Sequence, residues 1–336
     1  LNDTTAPESG RAVGSPAWCG RLLRSTLSDT LPLIVEALGT AADLPTGAPR
    51  TILHDFVSNH EHAEFLGGIV LQSKIDMERS IRAVADYVSA IVTLLETGGD
   101  AVVSVMALSR SAGESVLRFC HIHDPTVTPA RTLTRMAAYQ LESIEDNLRT
   151  AEAFGEHGED DAREARENIA TMHRYLTDHG FSRLPGQRRP EFTVNITLAG
   201  ETQNVSFNAT DAYRRYLAVG YWDWAIGSGA THGRGWLLPN IVGTFDEEPF
   251  MERSDVATTV TLQLLELADA FATAIGGHTG ISIENYKRKI HQRRIGATAA
   301  DRPHDGQAVS HRDYGLERAA PSFPLGTDGS SFRGTP

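Results

Sequence analysis

Residues 110–124 read R-S-A-G-E-S-V-L-R-F-C-H-I-H-D, a dense run of side chains able to do chemistry. On a helix, at about 100° per residue, Arg110, Glu114, Arg118 and His121 fall within about 80° of one another. Leu108, Val116, Leu117, Phe119 and Cys120 take the other side, which makes Cys120 a small core residue rather than a nucleophile. One narrow stripe thus carries two guanidiniums, a carboxylate and an imidazole. Glu114 can orient Arg110 and Arg118 against an anion, and His121 or His123 can move a proton. The same residues also suit a solvated ladder of i,i+4 ion pairs, each worth about 0.2–0.5 kcal/mol.

A second candidate site lies at residues 221–236, Y-W-D-W-A-I-G-S-G-A-T-H-G-R-G-W. Three of the four tryptophans fall here (Trp222, Trp224 and Trp236), and four glycines surround Ser228, Thr231, His232 and Arg234. Glycines let backbone amides approach a ligand closely, and Arg234 adds charge. Ser228, Arg234 and Trp224 are candidate substrate contacts and His232 a candidate catalytic group. An aromatic helix end followed by a loop explains the same residues. The spacing matches neither a phosphate-binding Walker loop nor a dinucleotide fingerprint.

Two clusters invite a metal. His54, Asp55, His60, His62 and Glu64 are close in sequence, and His60 and Glu64 stand four apart, but the H-E-x-x-H spacing of zinc enzymes is absent. Asp160, Asp161 and Glu164 superficially resemble the aspartate-rich element that holds magnesium diphosphate in isoprenoid enzymes. Acidic residues opening a helix complement its dipole, which suffices to explain them. No metal and no cofactor is assigned.

The elements that must position these residues are mostly helical. Apolar periodicity places helices at about 22–38 (with Pro32 limiting or kinking the first), 62–97, 100–121, 129–154, 162–179, 211–226, 256–275 and 283–294. Pro129 stands where a helix tolerates proline, and Gly98-Gly99 offers a C-cap. Residues 191–198 (E-F-T-V-N-I-T-L) alternate with period two and 204–208 read N-V-S-F-N, which predicts a β-hairpin turning at Gly200-Glu201. The expected architecture is all-α: a bundle of about seven helices forming one domain over 18–300, with a β-hairpin inserted at about 191–209. A flexible start (1–17) and a disordered tail (301–336) flank it.

Composition narrows the partners. Over 336 residues, 31 Lys+Arg stand against 43 Asp+Glu, a net charge of −12. That balance argues against non-specific coating of duplex nucleic acid, which depends on many phosphate contacts. Lys74, Lys287 and Lys289 are the only lysines, so the other 28 basic residues are planar arginine forks suited to phosphate or carboxylate. Two cysteines form no disulfide framework, no run is long and apolar enough for a membrane span, and the start lacks signal-peptide order. The expectation is a soluble cytoplasmic protein with no membrane partner.

Arg110-x3-Glu114 closing with Asp124-Pro125, then Ser228-x3-His232-Gly233, resembles a group of actinobacterial helical proteins similar in turn to the HEPN/abortive-infection helical domains. Arg118-x4-His123 fits the HEPN pattern of an arginine followed by a histidine. The resemblance implies a helical bundle, a homodimer, and metal-independent ribonuclease activity, or an inactive relative of such a hydrolase. Arg118 and Arg110 would then act on RNA phosphate, and His121 or His123 on the proton. The two motif residues lie about 140° apart on an ideal helix, so they converge only if the helix ends between them. Two other readings stand beside this one. The first is a small-molecule enzyme, acting on a phosphate-bearing compound such as an isoprenoid diphosphate, with an aromatic-lined helical pocket. The second is a non-catalytic helical interaction module.

Overall fold

The computed structural model describes residues 13–38, 45–98, 101–217, 227–233, 241–242 and 251–300. Among these, nine α-helices of eight residues or more occur: α1 Pro16–Leu38, α2 Pro49–Ser58, α3 Ala63–Thr97, α4 Val102–Ile122, α5 Pro129–Ala153, α6 Glu159–Asp178, α7 Ala209–Tyr216, α8 Arg253–Thr279 and α9 Glu284–Ala300. The mostly helical architecture agrees with the periodicity; the number of helices exceeds the expected seven. The helix at Pro49–Ser58 was hidden because its polar His54 and Asp55 read as part of a turn. Pro49 opens it at a first-turn position, where the missing N–H costs nothing. Pro32 sits inside α1 without ending it. The helix expected over 211–226 stops at Tyr216, where Leu217 turns extended. The expected N-terminal segment, apart from residues 13–17, and the tail at 301–336 lie outside the described residues.

The β element is larger than a hairpin. Strands β1 Ser182–Pro185, β2 Thr193–Leu198 and β3 Glu201–Asn204 form an antiparallel sheet in the order β1-β2-β3. Pairing of Leu198 with Glu201 leaves only Ala199 and Gly200 in the turn, at φ 49° and 82°. Both central residues at positive φ are the mark of the tight turn that matches strand twist. The return strand therefore starts at Glu201, and residues 205–208 lead into α7 instead of forming it. Two carboxylates of α5 hold this region: Glu145 accepts from the Thr193 amide at 2.8 Å and Glu142 from the Phe207 amide at 2.8 Å.

Four long helices make the main core. α1 packs on α3 and α8, and α4 packs on the same two, which closes a four-helix bundle. Their shared apolar face includes Leu23, Ile91, Leu117, Leu265 and Ile275, all nearly or wholly inaccessible. α9 lies against α8 and α1, where Asp29 receives Lys289 at 2.7 Å and also pairs with Arg293. A second core forms between α2, α3, α5 and the sheet around Leu66, Leu133 and Ile196.

At the end of α4, Asp124 joins three elements. It is 4% exposed and accepts from the Thr126 amide (3.0 Å) and hydroxyl (2.6 Å), Arg215 (2.6 Å) and Tyr216 Oη (3.0 Å) of α7. The buried Arg135 of α5 stands 3.6 Å away. Burial acts to raise the Asp124 carboxyl, but these donors and the Arg215 charge outweigh it and hold it below the ordinary carboxylate range.

Candidate functional site

The charged stripe of α4 is built, and its members are already engaged. Arg110 Nε donates to Glu114 at 2.8 Å, and its Nη1 lies 3.0 Å from His232 Nε2. The helical turn at residues 227–231 packs directly on α4 there: a Cβ on Gly227 would stand 3.2 Å from Arg110 Cβ. The structure thus brings Arg110, Glu114 and His232 together, with Ser228 in the same helical turn as His232. Trp224 and Arg234 lie outside the described residues.

One turn further along α4, Arg118 forms an ion pair with Glu142 and lies over the rings of Phe207 (4.7 Å) and Tyr139 (5.1 Å). His121 joins the same narrow cleft of about 20 Å³, its ring 5.8 Å from Phe207. Burial, aided by the charges of Arg135, Arg215 and Arg131, lowers the His121 pKa to about 3, so the imidazole is neutral at physiological pH.

Arg118 and His123 do not share a site. α4 stays helical through Ile122, so the break that would have let the two converge falls too late. His123 is instead turned into the core, 6% exposed, where it lines a different cavity from Arg118. Its ring packs on Phe119 (4.7 Å) and edge-on to His278 (4.5 Å).

Among the described residues no three His, Cys, Asp or Glu are grouped to hold a metal. Helix α3 begins at Ala63, so His60 precedes it and the i,i+4 geometry with Glu64 does not arise. His60 Nδ1 accepts from the His62 amide at 3.1 Å, while His62 and Phe65 both pack against His179. Asp160 and Asp161 occupy the first turn of α6, and Asp160 pairs with Arg163. Nor is any described helix long and apolar enough to cross a membrane.

What sequence reasoning missed lies on the opposite face of α4. Ala112, Ser115, Val116 and Phe119 fall between about 140° and 240° from Arg110 around the helix. With residues of α1, α3 and α8 they enclose an apolar cavity of about 80 Å³ in the four-helix bundle. Its walls contain hydroxyls, yet Thr26, Thr30 and Ser115 each donate to a carbonyl four residues back in their own helices. Turned onto the backbone in this way, these three leave Ser80 as the one other hydroxyl residue on a wall otherwise made of apolar side chains, among them the rings of Phe119 and Phe271.

Ile34, Ile81 and Phe119 also border a second lobe of about 90 Å³. This lobe has apolar walls too, but Arg50, Lys74, His123, His278 and Thr279 also line it. Burial, then the neighbouring His278 and Arg50, pushes the His123 pKa well below its ordinary value. Burial, then Arg50, lowers that of His278 to about 4. Both imidazoles are therefore neutral at pH 7. His123 Nε2 lies 2.7 Å from Met77 Sδ, whereas its Nδ1 is buried with no hydrogen-bond partner.

The signal for these groups was weak but present: His278 is a lone histidine after an apolar run of α8, and Lys74 is one of three lysines in a chain rich in arginine. Comparison of the whole chain with protein-family models, with characterised proteins and with solved structures finds no match, so the geometry of the bundle cavity is what a functional reading stands on.

Proposed function

We propose that the protein binds an apolar small molecule inside the α1–α3–α4–α8 bundle. The apolar cavity of about 80 Å³, with a second of about 90 Å³ that shares the walls Ile34, Ile81 and Phe119, is the observation that carries this reading. Protein interiors leave few voids larger than a water molecule. Lobes of about 80 and 90 Å³ are together comparable to the roughly 150 Å³ apolar cavity that takes up benzene. A slim molecule of about six to nine non-hydrogen atoms suits that space. The reading keeps the expectation of a small-molecule pocket with aromatic walls and moves it, since Phe119 and Phe271 supply the rings in place of the tryptophans.

The metal-independent ribonuclease reading draws less support. It needs an arginine and a titrating histidine on one phosphate; Arg118 does share a cleft with His121, but that cleft holds only about 20 Å³, Arg118 lies against Glu142 and the His121 pKa is lowered to about 3, while His123 borders a different cavity.

The test is thermal unfolding of the full chain with benzene and with hexan-1-ol. A ligand at a hundred times its Kd adds about 2.7 kcal/mol to the folded state, so each compound raises the midpoint in the wild type. In Ala112→Leu, which fills the first lobe, the rise disappears. No rise with either compound, or an equal rise in the filled variant, overturns the proposal.

A further inference from the structure

The second lobe differs from the first in one respect: charged and titratable side chains line it alongside the apolar ones. Lys74 borders it from α3, Arg50 from α2, His123 from the end of α4 and His278 from α8. These groups come from four separate helices, so their meeting is a property of the fold and not of one local sequence. Two of the four are cations, and among the described residues no carboxylate lines the lobe.

Three observations say what these groups lack. The part-exposed Lys74 borders this lobe and makes no hydrogen bond or ion pair within the described residues, so its ammonium is free to turn to a ligand. Neither ring nitrogen of His278 has a hydrogen-bond partner among the described residues, and the ring is 7% exposed. A neutral imidazole carries one N–H donor that needs an acceptor. Finally, His123 Nδ1 is buried and unpaired; a polar atom so placed calls for a bound polar group, because leaving it unmet is costly.

We infer that this lobe receives the carboxylate of a small monocarboxylic acid, whose hydrocarbon part runs past Phe119 into the first lobe. The inference rests on the cavity reading above and names the class of ligand. A carboxylate offers two acceptor oxygens, which suit the Lys74 ammonium and the donor nitrogen of His278. The apolar part meets a mostly apolar wall on which Thr26, Thr30 and Ser115 turn their hydroxyls onto the backbone, so it gains burial there. A diphosphate is the wrong head group here, since its charge and oxygens exceed what a 90 Å³ lobe with two cations and neutral imidazoles can satisfy.

The experiment is calorimetric titration of the full chain at pH 7.5 with hexanoate and with hexan-1-ol, which share a chain length and differ in the charged head. In the wild type hexanoate binds at least about tenfold more tightly, the lower end of what a charged hydrogen bond contributes. In Lys74→Met that preference falls to near unity while hexan-1-ol binds as before; circular dichroism checks that the variant is folded. Equal affinities in the wild type, or a preference that survives in Lys74→Met, overturn the head-group inference and leave the apolar cavity standing. If neither compound binds, both readings fall.

Discussion

Replacing Ala112 by leucine adds three carbons at a point on α4 that faces the first lobe. A lobe of about 80 Å³ has room for about three groups of water size. Each carbon buried in a true void contributes about 0.8 kcal/mol, or about 2.4 kcal/mol in all. Ordering the leucine side chain costs about 0.5–1 kcal/mol, and the loss in helix propensity is a few tenths at most. The net is a stabilisation of about 1–2 kcal/mol. A tightly packed site responds with the opposite sign, because forcing methylenes into a full core costs about 1–3 kcal/mol. Urea unfolding separates the two cases: the midpoint should rise with an unchanged m-value. A lower midpoint would refute the claim that the lobe is empty space.

Asp124→Asn leaves the 3% exposed guanidinium of Arg135 without its nearest carboxylate and should cost about 3–5 kcal/mol in the same assay; a cost under about 1 kcal/mol would mean that the His121 carbonyl alone satisfies Arg135. Because the Asp124 pKa is lowered by folding, its contribution is present above the usual carboxylate range and lost as pH falls below it. The buried histidines act at higher pH. His123 and His278 bind protons in the unfolded chain near 6.5 but resist them when folded, so stability is full above about 6.5 and drops as pH falls toward 4, by up to about 1.4 kcal/mol per pH unit for each ring. Urea midpoints between pH 7.5 and 5 should fall in the wild type and fall less in His278→Gln; a flat wild-type profile would contradict the burial of both rings. Ala199→Asn should raise stability by about 0.5–1 kcal/mol, since asparagine tolerates the positive φ that alanine holds at a cost; an unchanged midpoint would show the turn to be unstrained.

Much of the architecture was legible because long amphipathic helices write their period into the sequence, as α3, α4 and α5 do. α2 was not, since ten residues with polar members in the middle give the period little room to show. β3 was displaced because a non-glycine residue, Ala199, takes the first positive-φ position of the turn, and the Asn-Gly or Gly-Gly signal is absent. The residues of the charged stripe do lie on one helix, and Arg110 meets His232. What could not be read was the role of the other face. Ala112, Val116 and Phe119 are ordinary core residues by type, and they bound a cavity only because Leu23 of α1 and Phe271 of α8, almost 250 positions apart, stop short of filling the space between them. Likewise, nothing local to His123 announces a ring at position 278.

The empty lobes also bear on how the molecule responds to volume. Space of about 80 and 90 Å³ amounts to about 100 mL per mole, the upper end of the volume decrease on unfolding, about 20–100 mL/mol, that internal voids help to set. Hydrostatic pressure therefore acts on the α1–α3–α4–α8 bundle and, through the lobe bordered by Leu53, Met77 and Met136, on its seam with the second core. An occupant of the cavity removes that compressible space, so the bundle is soft to pressure when empty and stiff when filled.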